Sequence, residues 1–196
     1  MEGMGRPREF DETQVLDRAL EVFWRKGYEG ASVEDLVQAT GLSRASLYGA
    51  FGDKDKLYER AIERYRDEHR ADIEAIVASA STATEALQLV LRSVLSSSCS
   101  RSGPRGCFLL AAGTSGQGPG VAREALRDNL DQLERVFMEL VGRGQRSGEF
   151  RRDVDATAQA RMLVVLLQGM ASTARGGWGK DRLEAAAQAA LAQLTG

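Results

Sequence analysis

The sequence predicts an all-α protein: a small head of three helices joined by a long helix to a larger helical body. Three observations carry this. Ala, Leu, Glu and Arg dominate the 196 residues, and runs of β-branched or aromatic residues are few. Apolar residues recur at three- and four-residue spacing in successive segments, with Gly, Pro, Ser or Asp between them. The stretch 31–57, ASVEDLVQATGLSRASLYGAFGDKDKL, reads as two short helices across a tight turn, followed by the start of a third.

The chain opens on MEGMGRPREF, where Arg6 and Arg8 flank Pro7 and an extended arm is expected. Asp11 is a plausible cap for a first helix with an apolar stripe of Leu16, Ala19, Leu20 and Phe23, which Gly27 ends. Trp24 and Tyr28 are expected to close the head's core. Ser32-Val-Glu-Asp resembles a capping box and starts a second helix carrying Val33, Leu36 and Val37. That helix fades at Gly41, Leu42 plugs the turn, and Ser43 caps the next.

In the third helix Leu47 and Phe51, four residues apart, share the inward face. The outward face is then centred on Ala45 and Gly49, flanked by Ser46 and Tyr48, with Arg44 projecting from the first turn. Gly49 costs about 1 kcal/mol relative to Ala in a helix. Small residues there suit a helix that another surface must approach closely, as in the DNA major groove. A helical hairpin with a poorly optimised outer face gives the same pattern.

Asp53 caps a fourth helix from about Lys54 to Ala78, long enough to join head to body. A helix from Ala83 to about Ser96 follows, then a Ser/Gly/Pro-rich loop, a short apolar run from Cys107 to Ala112, and a second loop, GTSGQGPG. No strand precedes this loop and no Lys-Ser or Lys-Thr follows it, so it is no phosphate cradle. Val121 to about Gly142 is amphipathic. The helix from Ala156 to about Arg175 is apolar almost all round and must be covered on more than one side. The last helix carries Leu183, Ala186, Ala187, Ala190, Leu191 and Leu194.

The residues Ser32-Val33, Leu36, Ala39-Thr40-Gly41-Leu42-Ser43, Leu47-Tyr48, Phe51 and Lys54-Asp55-Lys56-Leu57 resemble the DNA-binding signature of the TetR-type bacterial transcriptional repressors. Two departures stand out. Ala45 occupies a place where members usually carry Gly, and Gly49-Ala50 one where they carry an aromatic and a His. The resemblance covers nearly the whole chain in layout and the head closely in motif. It implies a DNA-binding head at residues 1–56 and a regulatory and dimerisation body at 57–196. Arg44, Ser46 and Gly49, with Ala45 beside them, would then face base edges, and Ser32, Tyr48 and Lys54 would hold phosphates. Arg6 and Arg8 suit the DNA backbone or minor groove, or a solvated tail.

The partners expected are operator DNA, a second copy of the chain and a small-molecule effector that releases the DNA. Candidate effector-pocket residues are Tyr65, His69, Leu91, Cys107, Phe108, Met138, Met162, Val165, Gln168 and Trp178, because Met and aromatics suit adaptable apolar pockets. Candidate dimer residues are Leu163, Leu167, Met170, Leu183, Ala187, Ala190, Leu191 and Leu194, two helices meeting their copies in a four-helix arrangement. Gly106-Cys107-Phe108-Leu109 resembles a segment in a subset of these repressors, some of which sense electrophiles or oxidants. In that alternative Arg105 would lower the Cys107 pKa and Cys99 would be the resolving partner. A buried structural cysteine fits the same residues. A further alternative is a helical head that binds protein rather than DNA.

Composition narrows the rest. The net charge is −2, and residues 1–60 hold nine Lys or Arg against twelve Asp or Glu, so any DNA contact must rest on local cations rather than a broad positive field. Two cysteines and one histidine, His69, make neither a disulfide framework nor a zinc pattern. No catalytic constellation stands out, so no enzyme and no cofactor are expected. No apolar run is long enough to span a bilayer, so no membrane partner and a cytoplasmic location are expected.

Overall fold

The computed structural model describes residues 10–99 and 105–195. They form α1 (Glu12–Gly30), α2 (Val33–Thr40), α3 (Arg44–Phe51), α4 (Lys54–Ser79), α5 (Ala83–Ser98), α6 (Phe108–Thr114), α7 (Val121–Ser147), α8 (Ala156–Arg175) and α9 (Lys180–Thr195). No strand occurs among the described residues. Arg6 and Arg8 lie outside them.

The expected caps form: Asp11, Ser32, Ser43 and Asp53 each accept a backbone N–H of the helix that follows, and the structure adds Thr82 and Asp155 in the same role. Gly27 breaks α1 as its sequence suggests: at φ 72° and ψ 173° it interrupts the helical path, and a last turn then runs to Gly30. The Cys107–Ala112 run becomes the short helix α6. The seventh helix runs past Gly142 to Gly148, whose φ of 80° ends it.

Two apolar cores fill the molecule, and α4 passes through both. One joins the head residues Leu16, Phe23, Leu36, Leu47 and Phe51 to Leu57, Tyr58 and Ile62 of α4, Phe108 and Leu109 of α6, and Ala122 and Leu126 of α7. The other lies among the far half of α4, α5, α7, α8 and α9, around Leu87, Phe137, Leu140 and Leu163. The head is thus seated on α6 and the loop ahead of α7 as well as on α4. At the far end Glu149 accepts the Thr84 amide at 2.8 Å, which with the Ser147 hydroxyl lowers its pKa to about 2. That contact ties the α7–α8 turn to the start of α5.

Seven of the eight residues expected at a dimer interface turn into the core of their own chain. Leu163, Leu167, Met170, Leu183, Ala187, Leu191 and Leu194 are buried in their own chain's core, and Ala190 is half-buried. Conversely Met138, Met162, Val165 and Trp178, expected inside a pocket, are exposed. For the α8 residues among them the cause is the unbroken apolar run at residues 162–167. Periodicity alone does not say which side of α8 meets α5 and α7, and the Leu163–Leu167–Met170 side does.

Close packing at a glycine gives a test. A Cβ on Gly144 would stand 2.3 Å from the Phe150 ring, whereas one on Gly142 meets only the tip of Arg146. Gly144→Ala is expected to destabilise the protein by about 1–3 kcal/mol through overpacking. Gly142→Ala should leave stability unchanged or raise it by up to about 1 kcal/mol. Urea denaturation of the two variants against the parent checks the contrast.

Candidate nucleic-acid interface

The turn between α2 and α3 is built from local bonds. Gly41 takes the left-handed conformation at φ 73° and donates to the Val37 carbonyl. The Thr40 hydroxyl donates to the Leu36 carbonyl at 2.7 Å, and the Arg18 guanidinium of α1 reaches the Thr40 carbonyl at 3.3 Å. Ser32 and Asp35 form a reciprocal capping box, and Lys26 closes on Asp35 at 2.6 Å. The Lys26 ammonium, then the Ser32 hydroxyl and amide, lower the Asp35 pKa to about 2.

With Leu47 and Phe51 buried, α3 presents Arg44, Ala45, Ser46 and Gly49 to solvent, with Tyr48 half-buried beside them. Among the described residues nothing lies within 4 Å of a Cβ added at Gly49. The fold itself therefore does not require glycine there. The Ser46 hydroxyl is 2.9 Å from that of Ser43, and the Ser46 amide donates to the same cap. Arg44 lies over the Tyr48 ring at 5.9 Å.

The head's cations are largely spoken for. Lys26 pairs with Asp35, Lys56 with Glu59, Arg60 with Glu12 and Arg25 with Glu21. Among the described residues 10–60, Arg44 and Lys54 are exceptions that have neither a carboxylate partner nor a backbone acceptor. Lys54 instead sits over the Tyr28 ring at 4.3 Å. The Tyr28 hydroxyl donates to Asp55, and burial followed by that bond pushes the phenol above its ordinary pKa. Tyr28 closes the head's core against Phe23 and Tyr58 as expected, while its position beneath the start of α4 was not foreseen. The aromatic between Gly27 and Gly30 was the available signal.

In the body, the structure brings together Tyr65 and His69 of α4, Cys107 ahead of α6 and Gln168 of α8. They line a cavity of about 20 Å3 that also touches α5. The Tyr65 hydroxyl is 3.8 Å from the Cys107 sulfur, and Phe108 packs edge-on to Tyr65 at 5.5 Å. Burial lowers the His69 pKa, and the Gln168 Oε1 atom is buried without a hydrogen bond. Leu91 lies apart, beneath a groove between α5 and α9. Arg105 does not serve Cys107 as expected: its guanidinium pairs with Glu21 at 2.6 Å and lies over Trp24 at 5.8 Å. Burial pushes the half-buried Cys107 thiol up, the opposite of what a reactive thiolate needs.

A family described as "Bacterial regulatory proteins, tetR family" matches residues 15–61, and a "Tetracyclin repressor-like, C-terminal domain" matches residues 83–190. The HTH-type transcriptional repressor ComR of Escherichia coli (strain K12) is 32% identical over 181 residues, spanning 91% of this chain and 86% of ComR. A cysteine-substituted form of the TetR family transcriptional regulator CifR, solved with 26-bp double-strand operator DNA, is similar at TM-score 0.84 and 32% identity, covering 97% of this chain and 100% of that one. The reduced form of NemR from E. coli has TM-score 0.83 at 16% identity and shares the fold.

The Asp35 carboxylate provides a test of the capping box. Its pKa is depressed on folding, so the stability it contributes is complete above its ordinary value of 3.8 and lost as pH falls through about 2. Asp35→Asn is expected to lower the head's stability at neutral pH and to flatten its acid dependence between those values. Denaturation midpoints measured across pH 2–6 check this.

Proposed function

The chain belongs to the TetR family of bacterial regulatory proteins and is a DNA-binding transcriptional regulator, and we propose that it is a cytoplasmic homodimeric repressor released from its operator by a small molecule. In this reading residues 1–56 are the DNA-binding head and 57–196 the regulatory and dimerisation body. Arg44, Ala45, Ser46 and Gly49 face base edges. Ser32, Tyr48 and Lys54 hold phosphates, and Arg6 and Arg8 extend to the backbone or minor groove.

The observation that carries the reading is the outer face of α3. It is short, open at Gly49, and bears an arginine with no carboxylate partner in a head whose other cations are mostly paired. A helix entering the major groove needs closeness and local charge there. The dimer is assigned to the outward side of α8, Met162 and Val165, with the exposed alanines Ala185 and Ala189 of α9. Two heads related by a two-fold axis match a palindromic operator.

The effector site is assigned to Tyr65, His69, Cys107 and Gln168. A cavity of about 20 Å3 has room for about one water molecule, so a larger effector must part α8 from α4 and α5 on entry. It acts by binding the arrangement that holds the heads off DNA more tightly than the one that places them on it. The raised Cys107 pKa supports this reading over thiol-based sensing. No catalytic role is assigned.

Binding to duplex DNA from upstream of the protein's own gene, measured at two salt concentrations, tests the reading. Specific binding that weakens steeply with salt is expected. Gly49→Glu is expected to abolish it with little loss of helicity by circular dichroism. Unchanged binding by that variant would remove α3 from the interface.

A further inference from the structure

We propose that operator specificity is concentrated on one guanine and a neighbouring thymine in each half-site, the guanine read by Arg44 and the thymine methyl by Ala45. The proposal rests on the reading of α3 as the helix that enters the major groove.

The residues exposed on α3 leave few other ways to read a base. Its sequence, RASLYGAF, holds one charged side chain, Arg44, and no acid. Leu47 and Phe51 are buried. The Ser46 hydroxyl is engaged with Ser43, and Gly49 has no side chain. Cytosine N4 would call for an acidic acceptor, and the paired N6 and N7 of adenine for an amide such as Asn or Gln. The helix carries none of these. What remains is a guanidinium fork, whose major-groove match is the O6 and N7 pair of guanine, and a bare methyl, which matches the thymine C5-methyl.

Position and preorganisation agree with this assignment. Arg44 is the first residue of the helix, where groove-entering helices contact base edges. It lies over the Tyr48 ring four residues on, and no ion pair must break before it turns to DNA. Ala45 and Gly49 share the centre of the outward face. The open space at Gly49 lets the backbone come close enough for a side chain as short as alanine to touch a methyl group.

The test uses duplexes selected from a random pool by the full-length protein, followed by single-atom changes in the DNA. Replacing the selected guanine with 7-deazaguanine, which removes N7, is expected to weaken binding by the parent roughly ten- to a hundredfold and binding by Arg44→Ala hardly at all. Replacing thymine with uracil, which removes the methyl, is expected to weaken the parent several-fold and to have little effect on Ala45→Gly. The proposal is overturned if replacing Arg44 by Ala weakens binding by the same factor, relative to the parent, on the guanine and the 7-deazaguanine duplex and reduces the salt slope by about one, since Arg44 would then be a phosphate contact. It is also overturned if the selected sites share no guanine. If no duplex binds in a salt-sensitive way, the major-groove reading itself fails, and the binding isotherms separate that result from the other two.

Discussion

Tyr58 stands at the centre of the aromatic cluster that holds the head against the body. Its ring meets Phe23 at 4.8 Å and Tyr28 at 4.9 Å on the head side, and Phe108 of α6 at 6.3 Å on the body side. Phe108 in turn touches Trp24 and Tyr65. Pairs of this kind contribute about 0.5–1.5 kcal/mol each beyond the area they bury. Several of them acting across one junction make the head and the near half of α4 a single packed unit. The angle at which α3 is presented therefore depends on side chains of α6 as well as on the head's own.

Charge is arranged on top of this cluster. A head with more acids than bases is a poor match for a polyanion unless its cations are sorted. Here most are neutralised within the head, and two of the pairs, Lys26–Asp35 and Arg60–Glu12, brace α1 against α2 and α4. Arg18 binds a backbone carbonyl, while Arg44 and Lys54 remain on the side where α3 and the start of α4 emerge. Both lie against an aromatic ring rather than a carboxylate, so their charge is not cancelled. Net charge alone would have argued against DNA. The distribution of pairing reverses that argument.

Much of this was legible in the sequence. The helix-turn-helix announced itself through caps, a glycine turn and two inward residues four apart, all of them local rules. The helix starts at Ser32, Ser43 and Asp53 needed no tertiary information. What was not legible depends on which side of a helix meets its neighbours. In α8 every residue from Met162 to Leu167 is apolar, so the hydrophobic pattern has no phase there, and interior and exterior positions were exchanged. Arg105 failed for a related reason. Proximity in sequence to Cys107 suggested a partner, but α1 brings Glu21 and Trp24 closer, and such a contact has no local signature.

The loop ahead of α7 rests directly on the head. Gly118, at φ 74°, lies so close to Tyr28 that an added Cβ would stand 2.6 Å from its ring. Tyr28 carries Lys54 on its face and holds Asp55 through its hydroxyl. A head taken from a relative keeps this packing only if it brings a ring that fits beneath this glycine and beside Phe108. Where it does not, the head has to travel with its own 106–120 segment, so that the transferable unit is discontinuous in the chain.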